Sequence, residues 1–238
     1  MNTENWLNAV RACEAVQREV SRWIGENHAG ADWDQLAFPK CDDYSVGPLN
    51  ALSGATAFDY VPSAEAAGAA PGHSRIFVVL ESPHRDEYRC DPPKPAHGVT
   101  GAKIRLRLAI SLQIDPKDNP VVWLVNAIQF PCSLFKLLPG RRLDARVRDA
   151  AFRAVWRNGG AKDFEARMLQ YVRPHDLIVN ACTKGSTSPA LRDHVQASID
   201  EFARTAAGVT FSRRTHPASW RTNEQAKRPW TYLRKPEE

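Results

Sequence analysis

The feature that most constrains this chain is a set of short apolar runs, each stopped abruptly by polar residues. Residues 76–80 read Ile-Phe-Val-Val-Leu and stop at Glu81-Ser82-Pro83-His84, and residues 121–125 read Val-Val-Trp-Leu-Val and stop at Asn126. A third run, Leu177-Ile178-Val179, follows Asp176 and stops at Asn180. A weaker fourth, residues 208–211, leads into Arg213-Arg214-Thr215-His216-Pro217. Uninterrupted runs rich in β-branched residues suit strands buried on both faces. Between them apolar residues recur at helical spacing over residues 102–112, 143–157, 161–172 and 189–206. Strand alternating with helix predicts an α/β fold: three layers, α/β/α, around a short central four-stranded parallel sheet.

Upstream, Trp6, Val10, Cys13, Val16, Val20 and Trp23 predict an amphipathic helix over residues 4–25. Residues 27–59 read as irregular, and the Ala/Gly/Pro-rich stretch from Pro62 to Gly72 as a loop or linker. The expected organisation is an N-terminal helix and irregular extension, residues 1–72, packed on a core domain at 73–238. With 43% hydrophobic and 25% charged residues, a disordered or fibrous chain is excluded. No apolar run approaches the ~18 residues of a membrane span, and the first residues lack the layout of a signal peptide. A soluble, cytoplasmic monomer is expected, with no membrane and no protein partner. The five cysteines, Cys13, Cys41, Cys90, Cys132 and Cys182, form no CxxC or Cys/His ligand pair. Buried or idle thiols in a reduced compartment are expected, and no metal.

In open α/β sheets, ligands bind beyond the carboxyl ends of the strands. Here those ends carry Glu81-Ser82-Pro83-His84, Asn126, Asn180 and His216. Singly, each has a plain structural role, as cap, turn or loop residue. Together they put a carboxylate, a donor ring and two amides on one rim. The net charge of +5 can be assigned to the C-terminal stretch, where Arg213, Arg214, Arg221, Lys227, Arg228, Arg234 and Lys235 face only Glu224. Trp220, Trp230 and Tyr232 are interleaved with them. This pattern suits phosphate contacts with base stacking, against the plain reading of a solvated tail.

In order and context these segments resemble the uracil-DNA glycosylase superfamily. Val79-Leu80-Glu81-Ser82-Pro83-His84 is similar to its first motif, a strand ending in a turn such as GEAPG. Trp123-Leu124-Val125-Asn126-Ala127-Ile128 is similar to its central strand ending in Asn, and Thr215-His216-Pro217-Ala218-Ser219 to its closing His-Pro motif. Ala96-His97-Gly98-Val99 echoes a segment between the first two. The likeness spans about residues 75–222 and leaves residues 1–70 uncovered. It implies a monofunctional DNA glycosylase that flips a pyrimidine out of DNA and hydrolyses its N-glycosidic bond, leaving an abasic site. It implies Glu81 and His216 as catalytic, with Ser82, Pro83, His84, Gly98, Asn126 and Asn180 around the base. Arg213, Arg214, Ser219, Trp220 and Arg221 would hold DNA, supplying phosphate clamps and a wedge. The cysteine spacing of the iron–sulfur branches is missing, so no cofactor is expected.

There are departures. Leu80 stands where the family has glycine, and Ser82 where it has its catalytic Asp or Asn, so Glu81 is the motif's only carboxylate. Thr100-Gly101-Ala102 replaces the Phe that stacks on the base, and His84 replaces a blocking tyrosine. Cleaving the bond builds positive charge on the sugar and negative charge on the base. Glu81 can stabilise the first and align or deprotonate a water, and His216 can stabilise the second. Asn126, donor and acceptor at once, suits the pyrimidine edge. Small residues at Gly98 and Gly101 point to a bulky 5-substituted cytosine, such as glucosylated hydroxymethylcytosine of phage DNA, as in bacterial anti-phage glycosylases. Alternatively Tyr88 or Phe130 supplies the ring, and the enzyme is a uracil-DNA glycosylase of base-excision repair. A catalytically silent nucleic-acid-binding module and a hydrolase using Ser82 or Cys182 are further readings, the last lacking a G-x-S-x-G turn.

Overall fold

The N-terminal part folds into α1 (Thr3–Arg11), α2 (Glu14–Asn27), β1 (Tyr44–Pro48), α3 (Leu49–Leu52), β2 (Val61–Pro62) and α4 (Ser63–Ala66). There follow β3 (Arg75–Leu80), α5 (Val99–Leu112), β4 (Val121–Asn126), α6 (Ala145–Val155), α7 (Ala161–Tyr171), β5 (Leu177–Asn180), α8 (Leu191–Thr205), β6 (Thr210–Arg213) and α9 (Asn223–Lys227). The computed structural model describes residues 1–27, 38–66, 74–115, 117–134, 145–206 and 208–230. The protein is an α/β protein whose strands form one mixed sheet in the order β2-β1-β4-β3-β5-β6.

The four strands expected from the apolar runs are present and mutually parallel. They are not the whole sheet. β1 pairs antiparallel with β4, and β2 antiparallel with β1, so among the described residues the sheet widens from four strands to six; β1 comes from the segment read as irregular, while Pro62 of β2 and α4 fall in the stretch read as a loop or linker. Neither strand has an apolar run to announce it. β1 contains Gly47 and Pro48, its register with β4 shifts between Ser45 and Pro48, and Gly47 sits at φ +88°, where the missing Cβ removes the steric penalty. The single helix expected over residues 4–25 is two, broken around Ala12 and Cys13.

Alternating side chains of the parallel strands feed two cores. Phe77, Val79, Trp123, Val125 and Ile178 pack with α1, α6, α7 and α8. Ile76, Val78, Leu80, Val122, Leu124 and Val179 pack with α3, α5 and α9. Burial on both faces is why these strands read as unbroken apolar runs. β6 lies at the edge with Thr210 and Phe211 exposed, so its pattern is weaker and it starts two residues later than expected.

Strand ends are level: Leu80 pairs with Asn126, Val79 with Asn180, and Asn180 with Arg213. The chain leaves β3 for β4 on one side and returns to β5 on the other. The topological switch point therefore lies between β3 and β5, where an open α/β sheet leaves a crevice at its carboxyl edge.

Candidate active site

A cleft of about 300 Å³ opens at that edge. All four parallel strands contribute to its lining through the segments that follow them. Glu81, Ser82, His84 and Glu87 come after β3, and His97, Gly98 and Thr100 from the entry to α5. Ser133 follows β4, Thr183 follows β5 and His216 follows β6, while Arg148 reaches in from α6.

Glu81 is held by the sheet itself. Its carbonyl accepts the Ile128 N–H at 3.0 Å and the Leu80 carbonyl accepts the Ala127 N–H at 2.8 Å, so pairing with the β4 side continues past the strand. The residue is 7% exposed, and the Ser82 hydroxyl donates to its Oε1 at 3.3 Å. His216 begins a short turn, Pro217–Ser219, in which the Ala218 N–H donates to its Nδ1 at 3.3 Å and the Ser219 hydroxyl to its carbonyl at 2.7 Å. With Nδ1 accepting, the neutral ring carries its hydrogen on Nε2 and is a donor there. His84 also opens a turn, Arg85–Arg89. Its Nδ1 faces the Asp86 N–H at 3.3 Å and the Asp86 carboxylate at 3.2 Å. Nδ1 accepts the Asp86 N–H, which caps the turn.

The turn after His84 brings in a second carboxyl, Glu87, 5% exposed. The Ala96 N–H donates to its Oε1 at 2.9 Å and the Asn126 amide to its Oε2 at 3.4 Å, with the Cys41 thiol 3.8 Å from Oε2. Burial outweighs these donors and pushes the carboxyl up to about 8, so it is neutral at neutral pH. Nothing in the sequence marks it, because Arg85-Asp86-Glu87 reads as a solvated turn. It is buried because residues 94–96 fold back over it, with the Lys94 N–H donating to its carbonyl at 3.1 Å. Arg148 is equally unmarked. Its Nε and Nη2 donate to Oδ1 of the buried Asp149, which also accepts the Thr187 N–H and hydroxyl, each at 3.0 Å.

Several expected site residues lie elsewhere. Asn126 is fully buried behind Glu87 and does not line the cleft. Asn180 is fully buried and committed to the Arg192 carbonyl, Gln196 Oε1 and the Cys182 N–H. Pro83 is buried beneath the rim. Trp220 is wholly buried in the α5 and α9 core, with its indole N–H on the Thr215 carbonyl at 3.0 Å, so it is no wedge. Arg214 turns inward, its Nε on the Ser111 carbonyl at 3.0 Å. Arg213 lies 5.4 Å from the ring centre of buried Trp230. Ser219 and Arg221 are exposed, as are Lys227 and Arg228, while Tyr232, Arg234 and Lys235 lie outside the described residues.

The space expected at Gly101 is filled: a Cβ there would meet the Ala96 carbonyl oxygen at 2.0 Å and the Phe58 ring at 2.8 Å. At Gly98, on the cleft wall, a Cβ would meet Asp86 Oδ2 at 3.4 Å. Tyr88 packs edge-on to Phe38 and Phe130 stacks on Trp6, so neither ring faces the cleft. Among the described residues, no Phe, Tyr or Trp lines it. Cys182 is fully buried, its thiol pushed well up by burial, which suits no nucleophile.

Among the described residues, no cluster of His, Cys, Asp or Glu could hold a metal ion, and no helix is long and apolar enough to cross a membrane. Comparison with protein-family models, curated proteins and solved structures finds no match for the chain.

Proposed function

We propose that the protein is a DNA glycosylase with a uracil-DNA glycosylase-like fold, which extrudes a modified pyrimidine and hydrolyses its N-glycosidic bond. The observation that carries this reading is that Glu81 and His216, from segments following two different parallel strands, line one cleft at the carboxyl edge. The bond breaks with its electron pair moving to the base, leaving cationic character on the sugar. Glu81 stabilises that charge and takes a proton from the attacking water, while the Nε2–H of His216 donates to the base carbonyl oxygen as it gains charge. Extrusion of the base from the duplex is required because its bond is unreachable within the stack. Phosphates would be met by the exposed Arg221, Lys227 and Arg228 rather than by Arg214.

The substrate we propose is a bulky 5-substituted cytosine, such as glucosylated hydroxymethylcytosine. Support comes from the described lining, which has no aromatic ceiling and has a glycine on the wall at Gly98. The test is to incubate the protein with DNA carrying uracil, hydroxymethylcytosine or glucosylated hydroxymethylcytosine and to measure alkali-labile sites. Glu81→Gln is expected to slow cleavage strongly while keeping DNA binding. His216→Ala is expected to cost on the order of 10²-fold in rate. Near wild-type rates in both variants, or no abasic sites with any of these DNAs, would remove this reading.

A further inference from the structure

We propose that the Glu87 carboxyl reads the extruded base, its O–H meeting N3 of cytosine and its C=O accepting from the exocyclic amine. This rests on the glycosylase reading of the same cleft. Asn126, the amide expected to do this, lies buried behind Glu87 and directs its NH₂ at the carboxyl, not at the cleft. Among the described residues, no Asn or Gln lines the cleft. A neutral carboxylic acid supplies what such an amide would, a donor and an acceptor side by side. Its ionised form supplies two acceptors and faces the N3 lone pair, which repels it. Turned over, the same acid matches uracil, so this contact aligns the ring and the C5 side of the cleft makes the choice.

The surroundings fit a group that binds as the neutral acid. Burial is the largest influence on Glu87, raising its pKa to about 8. Cys41, Tyr60 and Tyr88 face it, and burial pushes each of these upward, so they add no charge near neutrality. The cleft is also lined by Glu81, Asp86, Arg148 and the three histidines, His84, His97 and His216. Their effects on binding persist when Glu87 is replaced, which separates them from its own.

The experiment compares two DNA strands, one with glucosylated hydroxymethylcytosine and one with an abasic analogue at the same place. Binding is measured by anisotropy from pH 6.5 to 9.5, in a Glu81→Gln background so that the base stays attached. The preference for the base-bearing strand is expected to fall about tenfold per pH unit above about pH 8. Glu87→Gln should keep the preference and lose this alkaline fall, because an amide does not titrate. Glu87→Leu should lose the preference at every pH. A preference that survives Glu87→Leu, an alkaline fall that survives Glu87→Gln, or no preference at all overturns the proposal. Cleavage by the otherwise unaltered protein is scored separately. If it forms abasic sites and Glu87→Leu still discriminates, the Glu87 assignment fails alone. If it forms none but the pH-dependent preference behaves as stated, the assignment stands and the glycosylase reading fails.

Discussion

Burial holds Glu87 neutral up to about pH 8, whereas an unfolded chain ionises it near 4.5, so the two states bind different numbers of protons between those values. Below that window the group is protonated in both states and does not affect stability. As pH rises through it the unfolded chain releases the proton first, and folding becomes less favourable. The loss, on the order of a few kcal/mol, is complete above about pH 8. Glu87→Gln removes the effect, so urea midpoints of variant and wild type should diverge from pH 5 to pH 8 in favour of the variant. Parallel profiles would show that the acid is not held neutral. Gly101 yields a second expectation, since a Cβ there collides with backbone at 2.0 Å. Gly101→Ala should lower stability by ~3 kcal/mol. Retention of the wild-type melting temperature would contradict that packing.

Among elements, the packing of the turn after β6 against α5 and α9 divides the basic stretch into two populations. Arg214 binds the Ser111 carbonyl, the Ser111 hydroxyl binds the Ala226 carbonyl at 2.8 Å, and Arg107 Nη2 binds the Arg221 carbonyl at 2.9 Å. These groups hold the His216 turn against α5. Arg221, Lys227 and Arg228 keep their side chains in solvent. Replacing each of these three with Ala should flatten the salt dependence of DNA binding, by about one unit of log–log slope for every phosphate that is no longer neutralised. Arg214→Ala should lower the melting temperature with the slope unchanged. Equal slopes for all four variants and wild type would assign no phosphate-binding role to this stretch.

Across the whole molecule, the N-terminal part belongs to the same core as the sheet. Trp6 of α1 is 1% exposed, stacks on Phe130 with ring centres 5.7 Å apart, and shares a core with Phe77, Trp123 and Phe152. Arg167 of α7 ties this side to the site: it pairs with Asp43 just before β1 at 2.6 Å and donates to the carbonyls of Asn126 and Ala127 at 3.0 and 3.1 Å. Trp6→Ala should therefore cost about 3–5 kcal/mol. Thermal unfolding should remain one transition in wild type, and a separate early transition assignable to the N-terminal part would show it to be an independent unit.

The parallel strands β3, β4 and β5 were legible in the sequence because burial on both faces demands unbroken apolar runs, and together with the weaker β6 they already put Glu81 and His216 after strand ends. Helices α5 to α8 were legible for the matching reason, since one buried face imposes a helical period. Strands β1 and β2 were not, because β1 is placed by pairing with β4 and β2 by pairing with β1, rather than by their own composition. Nor does spacing reveal which way a side chain faces at the last residue of its strand or beyond it. Asn126 and Asn180 turn into the interior, Trp220 fills a core, and Glu87 enters the cleft because residues 94–96 close over it. Local sequence sets the element and its buried face; the direction of a polar group at or beyond the strand end is decided by distant segments that cover it, and only the tertiary structure brings those together.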